Sequence, residues 1–217
     1  MSAEKAVTTE LFLLRHGEPA LKNALLGLTN PELSELGWQQ VSKSAKWFSD
    51  IDLVVSSPLK RCVISSTKYA EEKGIQHQIE TDFQEYDFGD WDGQLYADLH
   101  AQFPDEMHQF FLDPANNTPP NGETLAHFSQ RIEAALLRLL QQHAGKRIVL
   151  CIHSGVIRTL LAWCLKIDYL SGHQFQRIGI DYGSISHISV YAHEGQDFPQ
   201  LRFSNRIPSL KADDCKL

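Results

Sequence analysis

The chain has 217 residues, 42% of them hydrophobic and 22% charged, with a formal net charge of −7. That composition is globular and excludes a disordered chain, and the acidic balance argues against proteins that coat nucleic acid or bind anionic membranes. A chain of this length buries enough surface to fold without disulfides or a structural metal, and no apolar run approaches the ~20 residues of a membrane helix.

Leu11 to Leu14 is a short continuous apolar run, the pattern of a strand buried on both faces. It ends in Arg15-His16-Gly17-Glu18-Pro19, and a loop rich in Gly, Asn and Pro follows. Trp38, Val41, Ala45 and Phe48 fall on one face of a helix. Ile51 to Val55 reads as a second buried strand. Ser57-Pro58 predicts a helix start, Ser at the N-cap and Pro at the first position, for a helix running to about Glu72 and stopping near Gly74. Ile75 to Ile79 is a candidate edge strand.

Residues 82–121 are the least regular part, with a helix-like stretch from Tyr96 to Leu112, and are expected to form a lid insertion over the sheet rather than a second domain. Leu125, Phe128, Ile132, Leu136 and Leu139 mark a long amphipathic helix. Ile148 to Ile152 is a third buried strand ending at His153, and Val156 to Leu165 is helical. Ile178 to Ile180, Ile185 to Tyr191 and Leu201 to Phe203 read as further strands. Strands alternating with helices predict one α/β domain over residues 1–217, a three-layer α/β/α sandwich with a mostly parallel central sheet. Ligands in such sheets bind at the carboxyl ends of strands, and two strands here end in histidine.

The N-terminal residues show no apolar segment of a signal peptide, and Cys62, Cys151, Cys164 and Cys215 form no CxxC pair. The expectation is a cytoplasmic protein with reduced cysteines and no zinc site. No HxH or HExxH occurs either, so no metal or cofactor is expected.

Chemistry concentrates at four places. Arg15-His16 stands at the mouth of a buried strand, and Gly17 would let the backbone approach a ligand. Lys60 and Arg61 fall in the first turn of their helix, where cations oppose the dipole unless an anion binds; a solvent-facing side chain is the plainer reading for Lys60. His153-Ser154-Gly155 opens a helix whose free N–H groups suit an anion, with Arg158 one turn further in. Glu85 to Gly93 holds four acids beside aromatics, and the residues alone do not choose Glu85 over Asp87, Asp90 or Asp92 as a general acid.

These blocks together resemble the histidine phosphatase superfamily, in the branch that includes cofactor-dependent phosphoglycerate mutase. Leu14 to Pro19 resembles its Arg-His-Gly signature, Ser56 to Cys62 its second block, Glu85 to Gly93 its acidic block and His153 to Arg158 its last. The resemblance implies a phosphoglycerate mutase-like fold and a metal-independent phosphomonoesterase. His16 would be the nucleophile, forming a phosphohistidine, while Arg15, Arg61 and His153 neutralise the phosphoryl oxygens, with Ser154 beside them in the phosphate pocket. Glu85 would protonate the leaving alkoxide and then help activate water. His16 must then be neutral, and His153 serves better as a cation.

Within the branch, Arg15 to Pro19, Gln84 to Gly89 and Pro120 to Leu125 are similar to α-ribazole phosphatases, which remove the 5′-phosphate during assembly of the cobalamin nucleotide loop. A sugar or nucleotide phosphatase of the same family is the alternative, and a catalytically silent binding module on this fold is the rival of another class. Lys22 stands where mutases carry Asn, which counts against a mutase. A Cys-dependent phosphatase would need five residues between Cys151 and Arg158, and six are present; a G-x-S-x-G elbow for a serine hydrolase is missing. The expected partner is a small-molecule phosphomonoester, with Trp91, Tyr96, Met107, Phe110 and Phe111 as candidate contacts to its leaving group, although the apolar face of the lid helices is the plainer reading for any one of them.

Overall fold

A computed structural model describes residues 6–208. Its core is a six-stranded sheet in the order β3-β2-β4-β1-β5-β6. The strands are β1 (Val7–Arg15), β2 (Leu53–Ser56), β3 (Gln76–Ile79), β4 (Arg147–Ile152), β5 (Ile185–His193) and β6 (Gln196–Arg206). β3, β2, β4 and β1 run parallel, and β5 and β6 add an antiparallel ribbon at one edge. The helices are α1 (Glu35–Ala45), α2 (Lys60–Lys73), α3 (Tyr96–Gln102), α4 (Pro104–Leu112), α5 (Leu125–Gln142), α6 (Ser154–Cys164) and α7 (His173–Arg177).

Successive side chains of a strand point to opposite faces, so a buried apolar run feeds two cores. Leu11 and Leu13 join Leu53, Val55, Ile148, Leu150 and Ile152 against α5 and α6, through Phe128, Ile132, Leu136 and Leu160. Phe12, Leu14, Val149 and Cys151 face the other way, against Cys62 of α2 and the Trp47–Phe48 pair after α1. The expected three layers result. Among the described residues no helix is long and apolar enough to cross a membrane.

Several expectations need correction. α2 begins at Lys60, with Leu59 at its N-cap and no side-chain capping bond. Ser57 lies ahead of the cap, its hydroxyl accepting the Leu59 N–H at 3.3 Å and meeting His153 Nε2 at 2.8 Å. The Tyr96–Leu112 stretch is two helices, broken at Phe103 because the residue before Pro104 is disfavoured in the helical region. Ile178 to Ile180 forms no strand; its carbonyls at Ile178 and Ile180 accept from Arg158 and Arg15 instead. Gly17 is needed for packing rather than for a ligand: a Cβ there would lie 2.1 Å from the carbonyl oxygen of Gly37 in α1. Residues 82–121 share their core with the sheet, as Trp91, Leu99, Met107 and Phe110 are buried in the same cluster as Leu11 and Leu13. Cys62, Cys151 and Cys164 are buried free thiols, and Cys215 lies outside the described residues.

Candidate active site

The parallel pairing of β1 with β4 sets Arg15 opposite Ile152, so the residues that follow, His16 and His153, leave the sheet side by side. The His16 N–H still bonds the Ile152 carbonyl at 3.0 Å. The two imidazole centroids are 5.1 Å apart and edge-on. Both residues are buried.

Their protonation follows from their partners. His16 Nδ1 lies 2.8 Å from the Gly17 carbonyl, which can only accept, so Nδ1 carries the hydrogen and Nε2 keeps its lone pair. Burial, then the charges of Arg61 and Arg15, hold the His16 pKa well below its ordinary value. His153 receives the Arg61 Nε–H on Nδ1 at 3.2 Å and donates from Nε2 to the Ser57 hydroxyl at 2.8 Å. Burial and the same arginines hold its pKa well down too. The cationic His153 that the family resemblance implied is therefore not what the structure builds. It is a neutral donor, because a second ring proton would point at the Arg61 Nε–H.

Arg61 enters from the second position of α2 and is 1% exposed. Besides His153 it donates to the carbonyls of Thr29 (2.8 Å) and Gly27 (2.6 Å), which leaves two of its five N–H groups for a ligand. Lys60 turns outward instead, towards Glu32 at 3.9 Å. The 27–29 loop that holds Arg61 is itself held by Asp92, whose carboxylate accepts the N–H groups of Gly27, Leu28 and Thr29. Arg15 donates to Ile180 O, and its guanidinium stacks 3.8 Å above the Tyr182 ring. Its buried Nε has no partner. Neither Arg15 nor Arg61 forms an ion pair among the described residues, although burial pushes both pKa values down.

The four acids left open by the sequence are separated by their contacts. Only Glu85 reaches the histidines' cleft: Oε2 accepts the Gly155 N–H at 3.0 Å and lies 3.5 Å from the Ser154 hydroxyl, and Oε1 accepts the Tyr86 N–H at 3.0 Å. A Cβ on Gly155 would meet Oε1 at 2.3 Å, so a side chain there would displace the carboxylate. Asp87 caps the turn at Gly89, Asp90 accepts from Asn121, and Asp92 serves the 27–29 loop. Arg15, His16, Glu85, Ser154 and Arg158 share one cleft, with Arg61 and His153 buried behind it. Tyr96, Phe110 and Phe111 line it as expected, together with Phe88, Phe175 and Tyr182. Trp91 and Met107 are core residues instead, 2% and 0% exposed. Lys22 turns away to pair with Glu18 at 2.9 Å.

Two supporting residues escape a reading of the sequence. Tyr182 comes from the irregular approach to β5, where no periodicity marks it. Arg131 of α5 uses all five donors, on both oxygens of Glu123 and on the carbonyls of Asp82, Gln84 and Glu85. It pins the backbone that carries Glu85. An arginine on the flank of an amphipathic helix, eight residues after a glutamate, gives no local signal of this role.

The model of the histidine phosphatase superfamily (branch 1) matches residues 11–201. The chain belongs to this family. A bifunctional protein of Mycobacterium tuberculosis is 32% identical to this histidine phosphatase over 193 residues, 87% of the chain. The match covers 52% of that protein, so the chain spans about half the length of that relative. Phosphoserine phosphatase 1 of Hydrogenobacter thermophilus is 28% identical over 185 residues, 83% of this chain and 86% of the relative. The crystal structure of the alpha-ribazole phosphatase from Shigella flexneri superposes with a TM-score of 0.79 at 26% identity, covering 91% of this chain and 96% of the other.

Proposed function

We propose that this histidine phosphatase hydrolyses small phosphomonoesters, without a metal, through a phosphohistidine on His16. One observation carries the reading. The buried Arg61 and the half-buried Arg15, neither with a carboxylate partner, converge with a buried neutral imidazole, His16, whose lone pair is free. Buried charge is costly unless compensated, and a phosphoryl group supplies the compensation from the substrate side.

The Nε2 lone pair of His16 attacks phosphorus, and the bond to the ester oxygen breaks. Arg15, Arg61 and the Ser154 end of α6 hold the phosphoryl oxygens as charge spreads onto them, while His153 positions the Arg61 guanidinium from behind. Glu85 in its acid form gives its proton to the departing oxygen, leaving an alcohol. Water then attacks the phosphohistidine, its proton returns to Glu85, and the P–N electron pair goes back to Nε2.

For the substrate, we read the aromatic lining as a seat for a flat leaving group, with α-ribazole 5′-phosphate as the first compound to test. The superposition on an alpha-ribazole phosphatase supports that choice, and the three buried free thiols support a reducing cytoplasmic setting. The test is phosphate release in EDTA from α-ribazole 5′-phosphate beside phosphoserine, sugar phosphates and nucleotides. A kcat/KM above ~10⁴ M⁻¹s⁻¹ for α-ribazole 5′-phosphate, clear of the panel, is the expected result. Even hydrolysis across the panel would remove the substrate and keep the mechanism. A metal requirement, or full activity in His16→Ala, would remove the mechanism. No release from any compound would favour a silent binding module.

A further inference from the structure

A second cavity, of about 340 Å³, opens between α1 and α2 on the face of the sheet away from α5 and α6. It falls within the roughly 300–1,000 Å³ of small-molecule sites. None of its lining residues belongs to the catalytic cleft. Trp38, Phe48 and Tyr69 form its walls, and Leu14, Val54 and Val149 of the sheet form its floor. The Ser66 hydroxyl, in a residue 4% exposed, belongs to the same lining, beside the Cys151 thiol.

The charge around it has a sign. Lys46, Lys68 and Lys73 line the cavity against a single acid, Glu72. Among the described residues none of the three lysines forms an ion pair. Lys68 Nζ instead sits 5.7 Å from the centre of the Trp38 ring. A local excess of three cations over one acid stands out in a chain of net charge −7. Aromatic walls, an apolar floor and a cationic rim specify a small amphipathic anion. Its flat apolar body would lie between Trp38 and Tyr69, and its carboxylate or sulfonate would meet the lysines.

The geometry points to this cleft as a second ligand site, for a flat aromatic anion, separate from the phosphoryl site. The site also touches the catalytic machinery from behind. Ser65, Ser66 and Tyr69 lie on the helix whose first turn carries Arg61. Cys151, which lines the cavity, accepts the Ser57 N–H on its carbonyl, and Ser57 is the partner of His153.

The probe is 8-anilinonaphthalene-1-sulfonate, an aromatic body with one sulfonate, titrated by fluorescence and calorimetry into the full chain saturated with inorganic phosphate. One equivalent should bind, unmoved by phosphate. Lys46→Glu/Lys68→Glu should weaken it by about tenfold, since each tenfold is ~1.4 kcal/mol and these exposed changes leave the fold alone. Ala45→Phe, which fills the cavity mouth, should abolish it. Neutral N-phenyl-1-naphthylamine should bind about tenfold more weakly than the sulfonate. Hydrolysis of p-nitrophenyl phosphate by both variants without probe should match the parent enzyme. Displacement by phosphate would place the probe in the catalytic cleft and overturn the proposal. So would absence of binding, equal binding of the neutral probe, or undiminished binding in the charge-reversed variant.

Discussion

Two histidines held neutral inside the fold make its stability depend on pH in a way that can be worked out. His16 and His153 both have pKa values well below the ordinary 6.5, chiefly through burial. The unfolded chain therefore binds protons that the native state refuses, and stability present above pH ~6.5 is lost as pH falls below it. For a group that stays neutral when folded, the loss between pH 7 and pH 5 is about 2 kcal/mol, so the pair accounts for about 4 kcal/mol. That is a large share of the ~5–15 kcal/mol that holds a typical domain together. Urea unfolding at pH 7, 6 and 5, for the parent chain and for His16→Gln/His153→Asn, isolates this contribution. His77, His143 and His187, whose pKa values are also lowered, remain in both chains and cancel. The double variant should lose about 4 kcal/mol less than the parent between pH 7 and pH 5. A difference under about 1 kcal/mol would show that the imidazoles take up protons in the native state, and the neutral assignments would fall.

The supporting contacts give further expectations. Asp92→Ala releases the three N–H groups of the loop that holds Arg61, and should lower kcat/KM about ten- to a hundredfold, roughly 1.4–2.7 kcal/mol of transition-state stabilisation. Unchanged kinetics would show that Arg61 needs no such support. Gly155→Ala drives a methyl against Glu85 Oε1, so hydrolysis of alkyl phosphates should fall far more than that of p-nitrophenyl phosphate; equal losses would count against proton donation by Glu85. Arg131→Met leaves three carbonyls without their donor and the Glu123 carboxylate with only the Asp87 N–H and His127, and should cost about 2–3 kcal/mol in urea unfolding. A loss below ~1 kcal/mol would mean the clamp is redundant.

The layered fold was legible because β1, β2 and β4 are buried on both faces and write their apolar content as continuous runs. The histidines were legible because each follows such a run directly. Local signals did less well where tertiary demand competed with them. Ser57-Pro58 has the chemistry of a helix start, but the hydroxyl is shared between the Leu59 N–H and His153, and the helix begins two residues past Pro58. Gly17 looked like room for a ligand, and the room is filled by α1. Ile178 to Ile180 has strand composition but spends its carbonyls on arginines. The acids of residues 85–92 could be told apart only by partners distant in sequence: Gly155 for Glu85, Asn121 for Asp90 and Gly27 for Asp92. No spacing rule contains such pairings.

The register of β1 against β4 fixes the spacing of the two imidazoles without help from residues 82–121, which furnish much of the aromatic wall and the acid. Bond making and molecular recognition thus rest on different parts of the chain. A change at Tyr96, Phe110 or Phe111 alters which alcohol fits while the nucleophile keeps its place on the sheet. Such a scaffold can acquire new substrates one wall residue at a time without dismantling its reaction.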